Sequence, residues 1–357
     1  MSGYLLLIQF CNRRMNRMKV DYHIHLEEGP YSLSFVEKSL QAMEHFEPSQ
    51  KSKHTKEWLV ESSDRMSKRL DESEYSTWWL DFYLQEALNK GIKEVGIVDH
   101  LYRFKETRDY FTRYIDVRSD DIGKQQADWL DKVMVRSLQD FVSLITIAKK
   151  EWKSKGVTLK LGIEADYFVG GEDELKSILS DFDFDYVIGS VHFYDGWGFD
   201  NPALQNRFKL YDVNELYKNH FETVKKAAMS GIFDFIAHLD NIKVFNHRPP
   251  ETSLVDVYKD VAKVLVENDV ATEVNAGLYY RYPVKELCPS PKFLDILVAE
   301  GVKFTTSSDS HYPNDVGIYA DQIKSMLIEK GVKEVVTFTD RKRVMKPFHF
   351  DHLVVSY

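Results

Sequence analysis

Two histidines separated by one residue, His23 and His25, close an apolar run that reads as a β-strand. On a strand, side chains two positions apart face the same side, so both imidazoles are presented to one place, where they can grip a metal ion. Metal-ligand residue types then recur after each later apolar run. Asp99-His100 follow "VGIV", Glu164 and Asp166 follow "LKLGI", and His192 follows "YVIGSV". His238 and Asp240 follow "FDFIA", Glu273 and Asn275 lie within "ATEVNAG", and Asp309 with His311 follow "KFTTSS". Imidazole mixed with carboxylate suits zinc, manganese or iron, and a carboxylate can bridge two ions. The set is therefore read as a site for two or three divalent metal ions. Taken singly, a strand-end histidine is more often a hydrogen-bonded structural residue than a ligand; the repetition at six strand ends carries the metal reading. Asp99 and Asp240 are read as groups that cap or orient His100 and His238 rather than as ligands. The other six histidines, His45, His54, His220, His247, His349 and His352, fall in helical, loop or tail contexts and are read as surface or packing residues.

The elements that would position these groups alternate short apolar runs with longer amphipathic stretches, the pattern of repeated βα units. Strands are expected at 18–24, 92–98, 157–163, 184–190, 232–237, 270–275 and 302–307, with an eighth at 333–338. Helices are expected at 79–90, 128–154, 212–229, 253–268, 291–300 and 319–329. In a parallel α/β barrel every strand ends on one face, so side chains far apart in sequence would converge there. The segments 48–77 and 101–127 read as surface insertions in a single domain spanning 18–340. Residues 341–357 read as a tail. Residues 1–17 read as an unordered extension ahead of Met18, with an edge strand as the alternative. The aromatic segment 75–85 is read as core packing in preference to lining the mouth.

Composition narrows the partners. The chain has 357 residues, 43% of them hydrophobic and 29% charged, and a formal charge of −9. That balance leaves no basic footprint for nucleic acid or an anionic membrane, so an anionic substrate must be drawn by a metal or a placed arginine. Two cysteines without metal spacing fit a reducing cytoplasm, and no apolar run reaches the length of a membrane span.

The ordered motifs "DYHIH", "VDH", "GIEADY", "GSVHF", "AHLD" and "SDSH" resemble the PHP (polymerase and histidinol phosphatase) family of metal-dependent phosphoesterases over residues 18–311. The resemblance implies a distorted (β/α)7 barrel with up to three metals at the C-terminal face of its strands. It implies one metal on His23, His25, Glu164 and Asp309, a second on Glu164 as bridge with His192 and His238, and a third on His100 and His311. Family members usually add a histidine where this chain has Tyr31; Glu28, ahead of Glu27, is the candidate replacement, with solvated loop charge as the equal alternative. "GSVHFYDGWGFDNP" and "EVNAGLYYRYPVKELCPSP" resemble the histidinol-phosphatase branch, and place Arg281 as the phosphate-binding arginine. The implied activity is hydrolysis of L-histidinol phosphate by a metal-bridging hydroxide, with Arg281 and Asp309 as catalytic residues. Asp195, Asp200 or Glu286 would meet the cationic part of that substrate. Alternatives are another small phosphate ester or nucleotide, a non-catalytic metal-binding protein, or an amidohydrolase-like enzyme.

Overall fold

The computed structural model describes residues 18–27 and 29–348. The expected N-terminal extension, Glu28, His349 and His352 lie outside the described residues.

Seven parallel strands form one sheet in the order β1 (Val20–Ile24), β2 (Glu94–Ile97), β3 (Thr158–Asp166), β4 (Tyr186–Ser190), β7 (Phe235–Ile236), β8 (Ala271–Asn275) and β9 (Phe304–Ser307). Two short strands, β5 (Phe193–Tyr194) and β6 (Trp197–Gly198), make a hairpin between β4 and β7. The sheet curls until its edges meet. His25 N–H donates to Ser310 O at 2.7 Å, and Thr306 Oγ1 donates to Val20 O at 2.7 Å, so β1 and β9 nearly close a barrel. Parallel strands covered on both faces must be apolar throughout or satisfied internally, and every residue of β1 and β4 is buried.

The closed end of the barrel is an aromatic plug. Tyr22 lies 5.1 Å from Tyr186 between ring centres, and Phe338 packs on both at 5.9 and 5.8 Å. Gly96 and Gly162 make room for it, because a Cβ at either position would overlap the Tyr186 ring. With one end filled, the polar strand ends at the other face form the mouth.

The helices wrap the outside. Thr77–Lys90 is capped by Ser76, whose side chain accepts from Trp79 N–H, and ends at Gly91 in the left-handed region with φ 68°. It buries Trp79, Leu80, Phe82, Tyr83 and Leu84, in agreement with the core reading of this aromatic segment.

Four regions differ from the sequence reading. The stretch expected as one helix over 128–154 is two, Gly123–Val133 and Leu138–Ser154, because Arg136 pairs with Phe104 and Ser137 caps the second helix. The strand expected at 333–338 is not an eighth barrel stave. It is β10 (Glu334–Thr339), paired antiparallel with β11 (Lys342–Pro347), so residues read as tail complete a hairpin. Helices Leu33–Phe46 and Lys56–Glu72 fill the region between β1 and β2, and the second occupies most of the 48–77 insertion. Polar composition hid the second, since Lys56–Glu72 buries only Ser62, Met66 and Arg69. The 101–127 insertion is likewise structured, with a helix at Arg108–Tyr114 and the start of Gly123–Val133.

Candidate metal centre

Glu164, fully buried near the end of β3, is the hub of the mouth. Its Oε2 lies 2.7 Å from His100 Nδ1, 3.2 Å from His23 Nε2 and 3.4 Å from His25 Nε2. Its Oε1 lies 3.2 Å from His238 Nε2 and 3.5 Å from His192 Nε2. One carboxylate thus faces two groups of imidazoles, one with each oxygen. Asp309, in the left-handed region at φ 54°, brings Oδ1 to 3.7 Å from His25 Nε2. His25 packs against both His311, at 4.4 Å between ring centres, and His100, at 4.1 Å, and those two rings lie 5.8 Å from each other.

These donors suit cations. His23 Nδ1 faces the Glu273 carboxylate at 3.1 Å and His192 Nδ1 faces Asp166 at 2.8 Å, so in the neutral rings the outer nitrogens carry the protons. The inner Nε2 lone pairs of His23 and His192 then face the Nε2 of a second ring, 3.0 Å away on His25 and 3.2 Å away on His238. His100 Nδ1 and Glu164 Oε2 are close but off the hydrogen-bonding direction, and both are buried without a hydrogen-bond partner. A buried carboxylate among imidazole lone pairs is stabilised by positive charge, and divalent ions supply it. Among the described residues, four triads have mutually close candidate ligand atoms: His23, His25 and Asp309; His23, Glu164 and His238; His100, Glu164 and His192; and His25, His100 and His311.

The titration behaviour follows from the same crowding. Burial opposes ionisation of Glu164, but His100, His23 and His192 outweigh it and hold its carboxyl well below the usual range. Burial disfavours a charged His23 and His192, yet Glu273 and Glu164 raise the first well above its ordinary value, and Asp166 with Asp200 pushes the second up to about 10. Burial, reinforced by His100 and His311, keeps His25 neutral far below its ordinary value. Without an ion, protons on His23 and His192 supply the positive charge that the carboxylates demand.

Arg281 reaches this cluster because the two tyrosines before it are taken up in a helical turn, Gly277–Arg281. Its Nη2 donates to Asp309 Oδ2 at 2.9 Å and its Nη1 lies 2.7 Å from His311 Nδ1. Gly277 permits the approach, since a Cβ there would strike the Asp309 carboxylate and stand 3.0 Å from Arg281 Nη2. Tyr280 OH donates to Asp309 O at 3.2 Å and fixes the turn.

The orienting groups are not the ones the sequence pointed to. Asp99 accepts from Leu26 N–H and Tyr75 OH and lies 4.0 Å from His25 Nδ1, so it braces the β1 loop instead of His100. Asp240 accepts from Lys243 Nζ and Ser290 N–H, not from His238. Neighbours at a strand end point to opposite sides, which turns Asp99 away from His100, and the chain after His238 coils into a 3-10 turn that carries Asp240 off. Asp166 and Glu273 do the orienting, and Glu273 also accepts from Asn275 Nδ2, Ser307 Oγ and His238 N–H. Period-two spacing from Glu164 was the available signal for Asp166. Tyr31 does not reach the centre: it is 47% exposed and its OH accepts from Arg136. Glu27 is buried but bound to Arg69 and Arg103, which removes it as a replacement ligand. Among the cationic-group candidates, Asp195 is exposed and Glu286 is paired with Lys243 and Arg248. Asp200 lines the cleft beside His192 and His238. Next to the centre lies a wider chamber of about 520 Å³ that shares Tyr102, Asp200, Arg281 and Tyr282 with it and is walled by Trp129 and Lys38.

The fold and the donor cluster define a barrel metalloprotein with its centre at the strand C-termini. The chain belongs to the PHP domain family, whose model matches residues 73–277. It is 33% identical over 263 residues to a probable histidinol-phosphatase of Deinococcus radiodurans, covering 73% of this chain and 90% of that protein. A probable histidinol-phosphatase of Schizosaccharomyces pombe is 24% identical over 267 residues, covering 71% of this chain and 81% of that protein. In fold, the chain resembles the crystal structure of histidinol phosphate phosphatase from Lactococcus lactis, a complex with zinc, L-histidinol and phosphate. The TM-score is 0.59 at 16% identity, covering 91% of this chain and 98% of that one. Among the described residues no helix is long and apolar enough to cross a membrane.

Proposed function

We propose that the protein is a metal-dependent phosphomonoesterase that converts L-histidinol phosphate and water to L-histidinol and phosphate. The carrying observation is a bridging-type carboxylate, Glu164, surrounded by five histidines with Arg281 at the rim. The name of the Deinococcus relative supports the substrate. His23, His25, Glu164 and Asp309 would hold one ion, Glu164, His192 and His238 a second, and His100 with His311 a third. When bound, such ions lower the pKa of a coordinated water and polarise the phosphoryl oxygens.

The chain's own groups do the rest. Arg281 offers a planar fork of donors to the phosphoryl oxygens as their charge develops, the main electrostatic need of phosphoryl transfer. Asp309 keeps that fork aimed and is the candidate to hold the proton that the leaving-group oxygen takes up. The adjoining chamber accepts the leaving group. Asp200, which lies at the junction and makes no side-chain hydrogen bond or ion pair among the described residues, would face its ammonium or imidazole. Burial raises the Asp200 carboxyl above its ordinary value, so a cation beside it restores the ionised form. In this reading the protein serves histidine biosynthesis in the cytoplasm.

The test is phosphate release from L-histidinol phosphate against a panel of small phosphomonoesters and nucleotides, with protein loaded separately with manganese, zinc and iron. Strong selectivity for histidinol phosphate is expected. Equal rates across the panel would keep the phosphoesterase and discard the substrate; no release with any metal would favour a metal-binding or amidohydrolase-like protein.

A further inference from the structure

The helix Lys56–Glu72 spans 17 residues and buries one apolar side chain, Met66. Its attachment therefore rests on polar anchors. Arg65 donates to Met43 O at 2.7 Å and to Glu44 at 3.2 Å, both on the neighbouring helix Leu33–Phe46. The other anchor, Arg69, is 1% exposed and points toward Glu27 and Trp79. Its guanidinium lies 4.3 Å from the centre of the Trp79 ring, and its Nη2 donates to Glu27 Oε2 at 2.6 Å.

Glu27 sits two residues beyond His25 and is 2% exposed. Its Oε1 accepts from Arg103 Nη2 at 3.0 Å, and Arg103 in turn holds Glu74 at 2.8 Å. The backbone beside Glu27 is held from below, because Leu26 O accepts from Trp79 Nε1 and Tyr83 OH, and His25 O accepts from Tyr83 OH at 2.9 Å. Trp79 thus touches both the guanidinium of Arg69 and the loop that carries His25. A buried carboxylate stripped of one of its cations moves toward water or another donor, and its backbone follows.

We propose that Arg69 is a positioning residue for the His23–His25 segment, and that the docking of helix Lys56–Glu72 is coupled to occupancy of the metal centre. The ion pair to Glu27 fixes the course of the loop, and an ion held by His23 and His25 fixes the loop in turn and so holds the helix down. Coupling between two such events is reciprocal. The inference rests on the metal reading of the site and not on the identity of the substrate.

Two measurements on the full chain test it. In the wild type, amide hydrogen exchange over residues 59–69 is compared between chelator-stripped and zinc-loaded protein; exchange at least fivefold slower with zinc is expected. The zinc dissociation constant, read by competition with a chromophoric chelator, should weaken at least tenfold in Arg69→Met, the range seen when groups that orient ligands are lost. Arg69→Lys, which keeps the charge, should recover most of that loss. A merely structural role would lower the unfolding temperature of Arg69→Met and leave its zinc affinity in place. Equal wild-type exchange with and without zinc, or a zinc affinity for Arg69→Met within threefold of wild type, would overturn the proposal. If Arg69→Met does not fold, the wild-type exchange and the lysine variant decide. Absent phosphate release from a protein that binds zinc and shows the exchange difference would sink the substrate reading alone.

Discussion

Replacing Arg281 by methionine isolates the contribution of the guanidinium to turnover. Its two terminal nitrogens now rest on Asp309 Oδ2 at 2.9 Å and beside His311 Nδ1 at 2.7 Å, so the fork is held before any substrate arrives. Losing one donor aimed at developing charge costs ~10²–10³ in kcat, or about 2.7–4 kcal/mol. Asp309 already compensates part of the arginine charge, which sets the expected loss at the lower end, ~10²-fold. Because the interaction strengthens as charge develops on the phosphoryl group, most of the loss belongs in kcat and little in KM. Arg281→Lys should recover only part of it, since an ammonium supplies the charge but not the planar pair of donors. Steady-state phosphate release gives both constants, and metal content by elemental analysis guards against an indirect effect through Asp309 or His311. A methionine variant with full metal content and kcat above one third of wild type would refute the assignment.

Three further outcomes follow from the geometry. Glu164→Gln keeps the side-chain volume but removes the charge that faces both imidazole groups, so metal content should fall at both positions together and turnover by at least ~10³-fold; retention of a full complement would show that Glu164 is not shared. Asp166→Asn leaves His192 without its charged partner at 2.8 Å and should weaken metal binding ~10–100-fold, measured by chelator competition, while Asp240→Asn leaves it unchanged. His220, whose Nε2 donates to Leu239 O at 2.9 Å, is held down to about 4 by burial, against 6.5 unfolded. A depressed value means that the unfolded chain takes the proton more readily. The stability it confers is complete above pH 6.5 and is lost as the pH falls toward 4, by up to about 3 kcal/mol at 1.36 kcal/mol per unit. Denaturant unfolding of chelator-treated wild type and His220→Asn should converge over that window, and a pH-independent gap would contradict it.

The ligand types were legible because a parallel barrel makes a local rule global. Each apolar run ends at the same face, so a histidine or carboxylate just past a run is a mouth residue wherever it lies in the chain. His23, His100, Glu164, His192, His238 and Asp309 are each positioned by their own strand, and their convergence needs only the right number of strands. Helices Leu33–Phe46 and Lys56–Glu72 were not read, and for the second the reason is the opposite one. The second is held by Arg65 and Arg69 rather than by an apolar stripe, so it leaves little hydrophobic periodicity to read.

The partners of those candidate ligands were decided by tertiary structure. Asp99 and Asp240 sit one and two positions from His100 and His238 in sequence but turn to Tyr75 and to Lys243, whereas Glu273 faces His23 from 250 residues away. Glu27, one position from Glu28, is bound by Arg69 and Arg103. Sequence therefore determined the kind of chemistry, because residue type and strand period are properties of short segments. Which groups orient the ligands and which hold the loop depends on contacts between segments far apart in the chain, and only closing the barrel brings those together.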